Sequence, residues 1–172
     1  MNEYQSPLGK IIIMASKTGI TRLWFADQGY RTDSYIQQNN PVLETARAWL
    51  DIYFSGKEPR FEPILELDGT SFQKETWNIL KTIPYGKTMT YGEIAKIIAA
   101  NRNITKMSAQ AVGNAISKNK ISIIIPYHRV VGAQNKLVGY TGGLERKNKL
   151  LELEKTKSSP NRNPRQLGNF HV

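Results

Sequence analysis

The chain contains no cysteine. Disulfides, thiolate metal sites and a cysteine nucleophile are therefore excluded. Histidine is nearly as scarce: only His128 and His171 occur, so a metal site would need several carboxylates, and none is expected. Long apolar runs are missing too. No segment approaches the roughly 20 residues that span a bilayer. The N-terminus, Met1-Asn-Glu-Tyr-Gln, has no basic stretch leading into an apolar one, so no signal peptide is read. An intracellular protein is the default, cytoplasmic in a prokaryote or nuclear in a eukaryote. The hydrophobic fraction of 40% is ordinary, and 172 residues can bury a core in one domain or two small ones.

Acidic residues are also scarce, but only in one half. Residues 1–68 carry 7 Lys/Arg and 9 Asp/Glu, a balance of −2, whereas residues 69–172 carry 17 and 5, a balance of +12. Between Ile94 and Leu144 there is no acidic side chain at all. A basic half beside a near-neutral one suits a polyanion, with nucleic acid first and an acidic membrane surface second. A soluble basic protein without such a partner is the plainer alternative.

Local patterns outline the elements. Residues 9–15 and 20–26 are short and rich in β-branched or aromatic residues, which predicts strands joined by a Lys17-Thr-Gly19 turn. Pro41 to Phe54 predicts a helix, with Pro41 in its first turn, Leu43, Ala46, Leu50 and Tyr53 at helical spacing, and Gly56 past its end. Glu62 to Leu67 reads as a further strand, and Asp68-Gly69 as a domain boundary. Beyond it the pattern is helical. Thr70 with Gln73 and Thr90 with Glu93 have capping-box spacing. Ser108 is placed to cap a helix through Ser117, apolar at Val112, Ala115 and Ile116 and polar or small at Gln110, Gly113, Asn114 and Ser117. Two short helices joined by a polar stretch fit a helix-turn-helix. A last helix covers Leu144 to Glu154. Residues 158–172 are too polar to fold alone and read as a disordered tail.

One stretch stands apart. Ile121-Ser-Ile-Ile-Ile-Pro-Tyr-His-Arg-Val-Val-Gly132 reads as a buried strand that runs through a proline into Tyr127, His128 and Arg129. With the text around it, this stretch resembles the alkylguanine-DNA alkyltransferases, which repair guanine alkylated at its O6 oxygen. The resemblance rests on Phe72-Gln73, Trp77, Ile83 to Ala95, Ala111-Val-Gly-Asn-Ala115, Asn119, Ile125-Pro126, His128 to Val131, Gly139-Tyr-Thr-Gly-Gly-Leu144 and Glu154. It covers residues 69 to about 155, and no diagnostic motif falls in the first half.

The resemblance implies an α/β protein with a small N-terminal α/β domain (1–68, ribonuclease-H-like). A mainly helical, winged-helix-like C-terminal domain would follow over 69–157. It implies a monomer that needs no cofactor, metal or membrane and binds double-stranded DNA, preferentially carrying O6-alkylguanine, with a repair protein as a further partner. In the family a cysteine after the proline accepts the alkyl group, activated by a histidine that a glutamate orients. Here the acceptor position is Tyr127, while His128 and Glu154 match the activating pair. The resemblance places Ala109, Gln110, Ala111, Gly113 and Asn114 of the second helix in the minor groove, with Tyr91 also toward DNA; Arg129, grouped with these DNA-binding residues, is read as mainly a scaffold residue pairing with nearby carbonyls or phosphate. It makes Tyr127, Tyr140, Thr141 and Gly142 a lesion pocket and Asn119 a structural brace. A second departure is Gln110, where the family has an arginine that fills the gap left by the flipped base. A phenol ionises near pH 10 and a thiol near 8.5, a difference of about 2 kcal/mol, and phenolate oxygen is the harder nucleophile. Three readings follow: a sensor of alkylated DNA that flips the base but transfers nothing, an alkyltransferase whose nucleophile has been replaced, and a basic helix-turn-helix regulator.

Overall fold

A computed structural model describes residues 1–30 and 40–155; the expected tail, 158–172, lies outside the described residues. Strands β1 (Asn2–Ser6), β2 (Gly9–Ala15) and β3 (Ile20–Phe25) form an antiparallel sheet in that order. Helix α1 (Pro41–Phe54) packs on it, burying Leu43, Ala46, Leu50 and Tyr53 against Ile11, Ile13, Leu23 and Phe25. Asn40 caps α1 by accepting from the Val42 N–H, and Gly56 follows the helix at φ 76. The first strand was not expected. Asn2 to Ser6 mixes polar residues with one buried side chain, Tyr4, and its pairing with β2 is what orders it.

The outer edge of β3 is covered twice, by segments read from the sequence as strands. The Ile20 and Glu66 amides bond across the edge to Ile64 and Ile20 carbonyls, a single bridge at Leu65. Leu23 exchanges two backbone bonds with Lys120 and Ser122, a single bridge at Ile121. Neither segment is a strand. Residues 121–125 form tight turns in which Ile123 sits at φ 70, a conformation that costs a β-branched residue on the order of 1–3 kcal/mol. Full burial of Ile121, Ile123 and Ile125 offsets that cost. An apolar β-branched run marks burial here, not extension. Capping both parts of the β3 edge also removes it as a template for further pairing.

The second half holds α2 (Ser71–Lys81), α3 (Tyr91–Asn101), α4 (Ala109–Ser117) and α5 (Leu144–Lys155). Both expected capping boxes form, at Thr70/Gln73 and Thr90/Glu93, and Ser108 caps α4 through the Ala111 N–H. Two short parallel strands, β4 (Met89–Thr90) and β5 (Val130–Val131), clamp the entry of α3 to the stretch after the Pro126 turn. Helix α4 buries Val112, Ala115 and Ile116 and turns Ala109, Gln110 and Asn114 outward. Trp77 of α2 fixes it, donating its indole N–H to the Ala115 carbonyl at 2.9 Å. Helix α5 is tied back to the sheet domain, where Arg146 pairs with Asp27 at 2.7 Å, bonds the Leu8 carbonyl and lies over the Phe25 ring. No helix among the described residues is long and apolar enough to cross a membrane.

Replacing Trp77 with Phe leaves the buried Ala115 carbonyl without its indole donor while keeping most of the apolar contact. We expect a loss of about 1–3 kcal/mol in urea unfolding, with far-UV circular dichroism of the native state unchanged.

Candidate functional site

Residues 127–129 form a single 3-10 turn, and all three side chains are buried. Asn119 braces the approach to it. Its side-chain oxygen accepts from the Ile121 N–H at 2.9 Å, and its amide donates to the carbonyls of Ile121 and Ile125. One side chain thus pins both ends of the turning segment that delivers Pro126.

Beneath the turn, Glu154 on α5 is fully buried and is the common partner of four groups. His128 Nε2 lies 2.6 Å from its Oε1, Tyr53 donates to the same oxygen at 2.8 Å, and the Gly86 N–H donates to Oε2 at 3.0 Å. Arg129 donates to both oxygens from Nε and to Oε1 from Nη2. Burial alone raises a carboxyl pKa, but His128 and Arg129 outweigh it and hold Glu154 down to about 2. His128, fully buried, is driven the other way. Burial lowers its pKa more than the carboxylate restores, and the nearby Arg129 and Lys147 charges add to the lowering. A neutral imidazole with its Nε2 proton on Glu154 leaves the Nδ1 lone pair free, and Nδ1 is buried with no hydrogen-bond partner. The arrangement is an oriented base with nothing to deprotonate.

Tyr127 does not use that base. Its hydroxyl faces the Tyr91 hydroxyl in hydrogen-bonding reach, and both converge on Gly139, where a Cβ would stand 3.1 Å from each oxygen. Gly139 is at φ 58, so this position suits glycine twice over. The Tyr127 ring meets Tyr140 edge-on at 5.4 Å, and Lys147 Nζ lies 5.5 Å from its centre. Burial raises the Tyr127 phenol above its ordinary value, against a smaller lowering by Tyr91. Lys147, wholly buried, donates to the Val138 and Gly139 carbonyls at 2.6 and 2.9 Å, and burial brings its pKa down to about 8. It anchors the loop that faces Tyr127.

Family models match the chain in two pieces: a ribonuclease-like domain of 6-O-methylguanine DNA methyltransferase over residues 2–68, and the DNA-binding domain of the same family over 71–156. The chain belongs to the O6-methylguanine DNA methyltransferase family. It is 45% identical over 152 residues to the methylated-DNA–protein-cysteine methyltransferase of Mycobacterium leprae, covering 87% of this chain and 88% of that one. It is 37% identical to the Haemophilus influenzae protein of the same name, covering 98% and 95%. Among solved structures, Mycobacterium tuberculosis OGT in complex with DNA superposes with a TM-score of 0.79 at 42% identity, over 90% of this chain and 91% of that one. The fold matches the family's: a small N-terminal sheet domain and a helical C-terminal DNA-binding domain.

The structure brings His128, Glu154, Tyr127 and Tyr91 together, and its geometry bears on two further expectations. Arg129 was grouped with the DNA-facing residues but read as mainly a scaffold residue pairing with nearby carbonyls or phosphate. Its donors are spent on Glu154 and, through Nη1, on the Ile83 carbonyl at 2.7 Å, with the guanidinium over Tyr85. It is a buried strut. The lesion pocket of Tyr127, Tyr140, Thr141 and Gly142 is the second. The first two rings fill the space themselves, each less than a tenth exposed, while Thr141 faces outward and lines a different cavity. A Cβ on Gly142 would stand 2.8 Å from the Tyr140 ring, which accounts for glycine there. Two residues of the site went unread. Tyr53 belongs to the other domain, and its only sequence signal was an apolar helix position. Lys147 looked like one more exposed charge of α5.

The buried acid–base cluster predicts stability loss in acid. Glu154 is depressed to about 2 from an unfolded value near 4.3, so its contribution is complete above about pH 4.3 and fades as pH falls toward 2. His128, also depressed, adds a loss that begins as pH drops below about 6.5, where the unfolded imidazole takes up a proton that the folded one refuses. Urea midpoints should fall from pH 7.5 to 5.5 and again toward pH 3. Glu154→Ala should cost about 3–5 kcal/mol at pH 7, since it strands the buried Arg129.

Proposed function

We propose that this chain binds duplex DNA through α4 and senses O6-alkylguanine without accepting the alkyl group. The observation that carries the reading is Tyr127: a phenol stands at the acceptor position of a turn whose activating pair, His128 and Glu154, is fully assembled. Alkyl transfer needs a soft, easily ionised nucleophile. The Tyr127 phenol is raised by burial, faces Tyr91 and makes no hydrogen bond to His128 Nδ1.

An aromatic face suits recognition instead. A base taken out of the helix is read by stacking and by hydrogen bonds to its edge. Entry would open the Tyr91–Tyr127 hydroxyl contact, after which the base would lie on the Tyr127 ring. The outward side of α4 supports a close approach to the groove. Ala109 and Gly113 are small, Gln110 and Asn114 are exposed hydrogen-bonding residues, and Ala111 is half-buried beside them. Gln110 lacks the charge and planar fork of arginine, so lesion affinity is expected to be modest.

A second reading has an observation of its own. The relatives are named as methyltransferases, and the rings of Tyr127 and Tyr140 leave no open space between them. Both facts suit a replaced nucleophile with little lesion preference. Affinity for a duplex with one O6-methylguanine, compared with the unmodified duplex, separates the two. A preference of about tenfold or more, with no gain in intact mass, is the sensor's result. Equal affinity would leave the replaced nucleophile, and a methyl group on Tyr127 would overturn the proposal. Both duplexes should bind more weakly as salt rises, with a clearly negative log–log slope.

A further inference from the structure

Where β3 meets the end of α4, a cavity of about 250 Å³ opens between the two domains. Arg22 and Trp24 of β3 and Tyr30 beyond it form one wall, and Lys118, Ser122 and Thr141 form the other. Among the described residues, no acidic one lines it. Lys120 at its margin is paired with Asp68 at 2.5 Å. Arg22 and Lys118 have no ion pair among the described residues. Their side chains are exposed and available to an anion.

The lining carries a second signature. Trp24 is packed so that only 5% is exposed, and it meets Tyr30 edge-on at 6.0 Å and 84°. Ser122, also 5% exposed, makes no side-chain hydrogen bond among the described residues. Aromatic faces, two cations without an ion pair and a hydroxyl without a side-chain hydrogen bond among the described residues match, at one cavity, a nucleotide: a base for the rings, a phosphate for the charges. The volume lies just under the roughly 300 Å³ at which small-molecule pockets begin, enough for a single nucleotide's base.

Its position selects the source. Lys118 immediately follows Ser117, the last residue of α4, and Thr141 belongs to the loop that faces the Tyr127 turn. We infer that this cavity receives one unpaired nucleotide of the DNA strand bound along α4, with its phosphate on Arg22 and Lys118 and its base against Trp24 and Tyr30. The inference rests on α4 being the DNA-binding helix. It adds a contact from the N-terminal domain and a site separate from the Tyr127 pocket.

The test uses the full chain, labelled with nitrogen-15, and two duplexes that differ only in one unpaired thymidine. The bulged duplex should bind about tenfold tighter than the fully paired one, within the range one stacked base supplies, and should shift the Trp24 indole resonance. The double variant Arg22→Ala/Lys118→Ala changes exposed side chains only. It should abolish the preference while lowering affinity for the paired duplex by less than about threefold. Equal binding of the two duplexes, or an unmoved Trp24 resonance, would overturn the cavity assignment and leave DNA binding by α4 standing. Absence of binding to either duplex would remove both. Free thymidine 5′-monophosphate binding as tightly as the bulged duplex would make this a mononucleotide site and overturn the DNA assignment.

Discussion

The carboxylate of Glu154 is the constraint on which the rest depends. It is buried without any exposure, and a lone carboxylate in such a place is costly enough that it normally neutralises instead. It stays ionised because Arg129, His128, Tyr53 and the Gly86 amide all supply hydrogens to it. The four partners come from three pieces of chain: the 127–129 turn, the loop before β4, and helix α1 of the sheet domain. Satisfying one charge therefore fixes the position of α5, the 127–129 turn and the domain junction together.

On the proposed reading, that requirement explains why the architecture around the turn stands with a phenol, not a thiol, at residue 127. Glu154 and Arg129 hold the fold whether or not a thiol follows Pro126, and His128 is oriented by the same network. Only residue 127 and its surroundings are free to differ. Tyr127 fills the space over the turn, closes on Tyr91 and Tyr140, and packs beside Lys147, whose ammonium is tied to the facing loop. His128 Nδ1 remains buried without a hydrogen-bond partner among the described residues.

Helices were legible because their signals are local. Thr70 with Gln73, Thr90 with Glu93, and Ser108 each cap through bonds spanning three residues, and the apolar stripe of α4 follows from periodicity. The membership of the 121–132 stretch in the family was legible from its motif. The segments around Leu65 and Ile121 were misread because a β-branched run reports burial, and whether it extends is decided by what it meets; each meets only the edge of β3. Tyr53 and Lys147 were missed for a related reason. Tyr53 reaches a partner 101 residues away in sequence, and Lys147 spends its donors on carbonyls that carry no sequence signature. Arg129 was read as mainly a scaffold residue, and the structure supplies the partners that its type alone did not name: the Ile83 carbonyl and the Glu154 carboxylate.

The central claim is that the relay is intact and lacks only its acceptor. Tyr127→Cys tests this most directly, in a single-turnover reaction with an O6-methylguanine duplex followed by intact mass. The account predicts one methyl group per chain, on residue 127, and its loss when His128→Ala is added. The reaction should be slow, because Gln110 supports base extrusion poorly. A folded, DNA-binding Tyr127→Cys protein that takes up no methyl group would contradict the account.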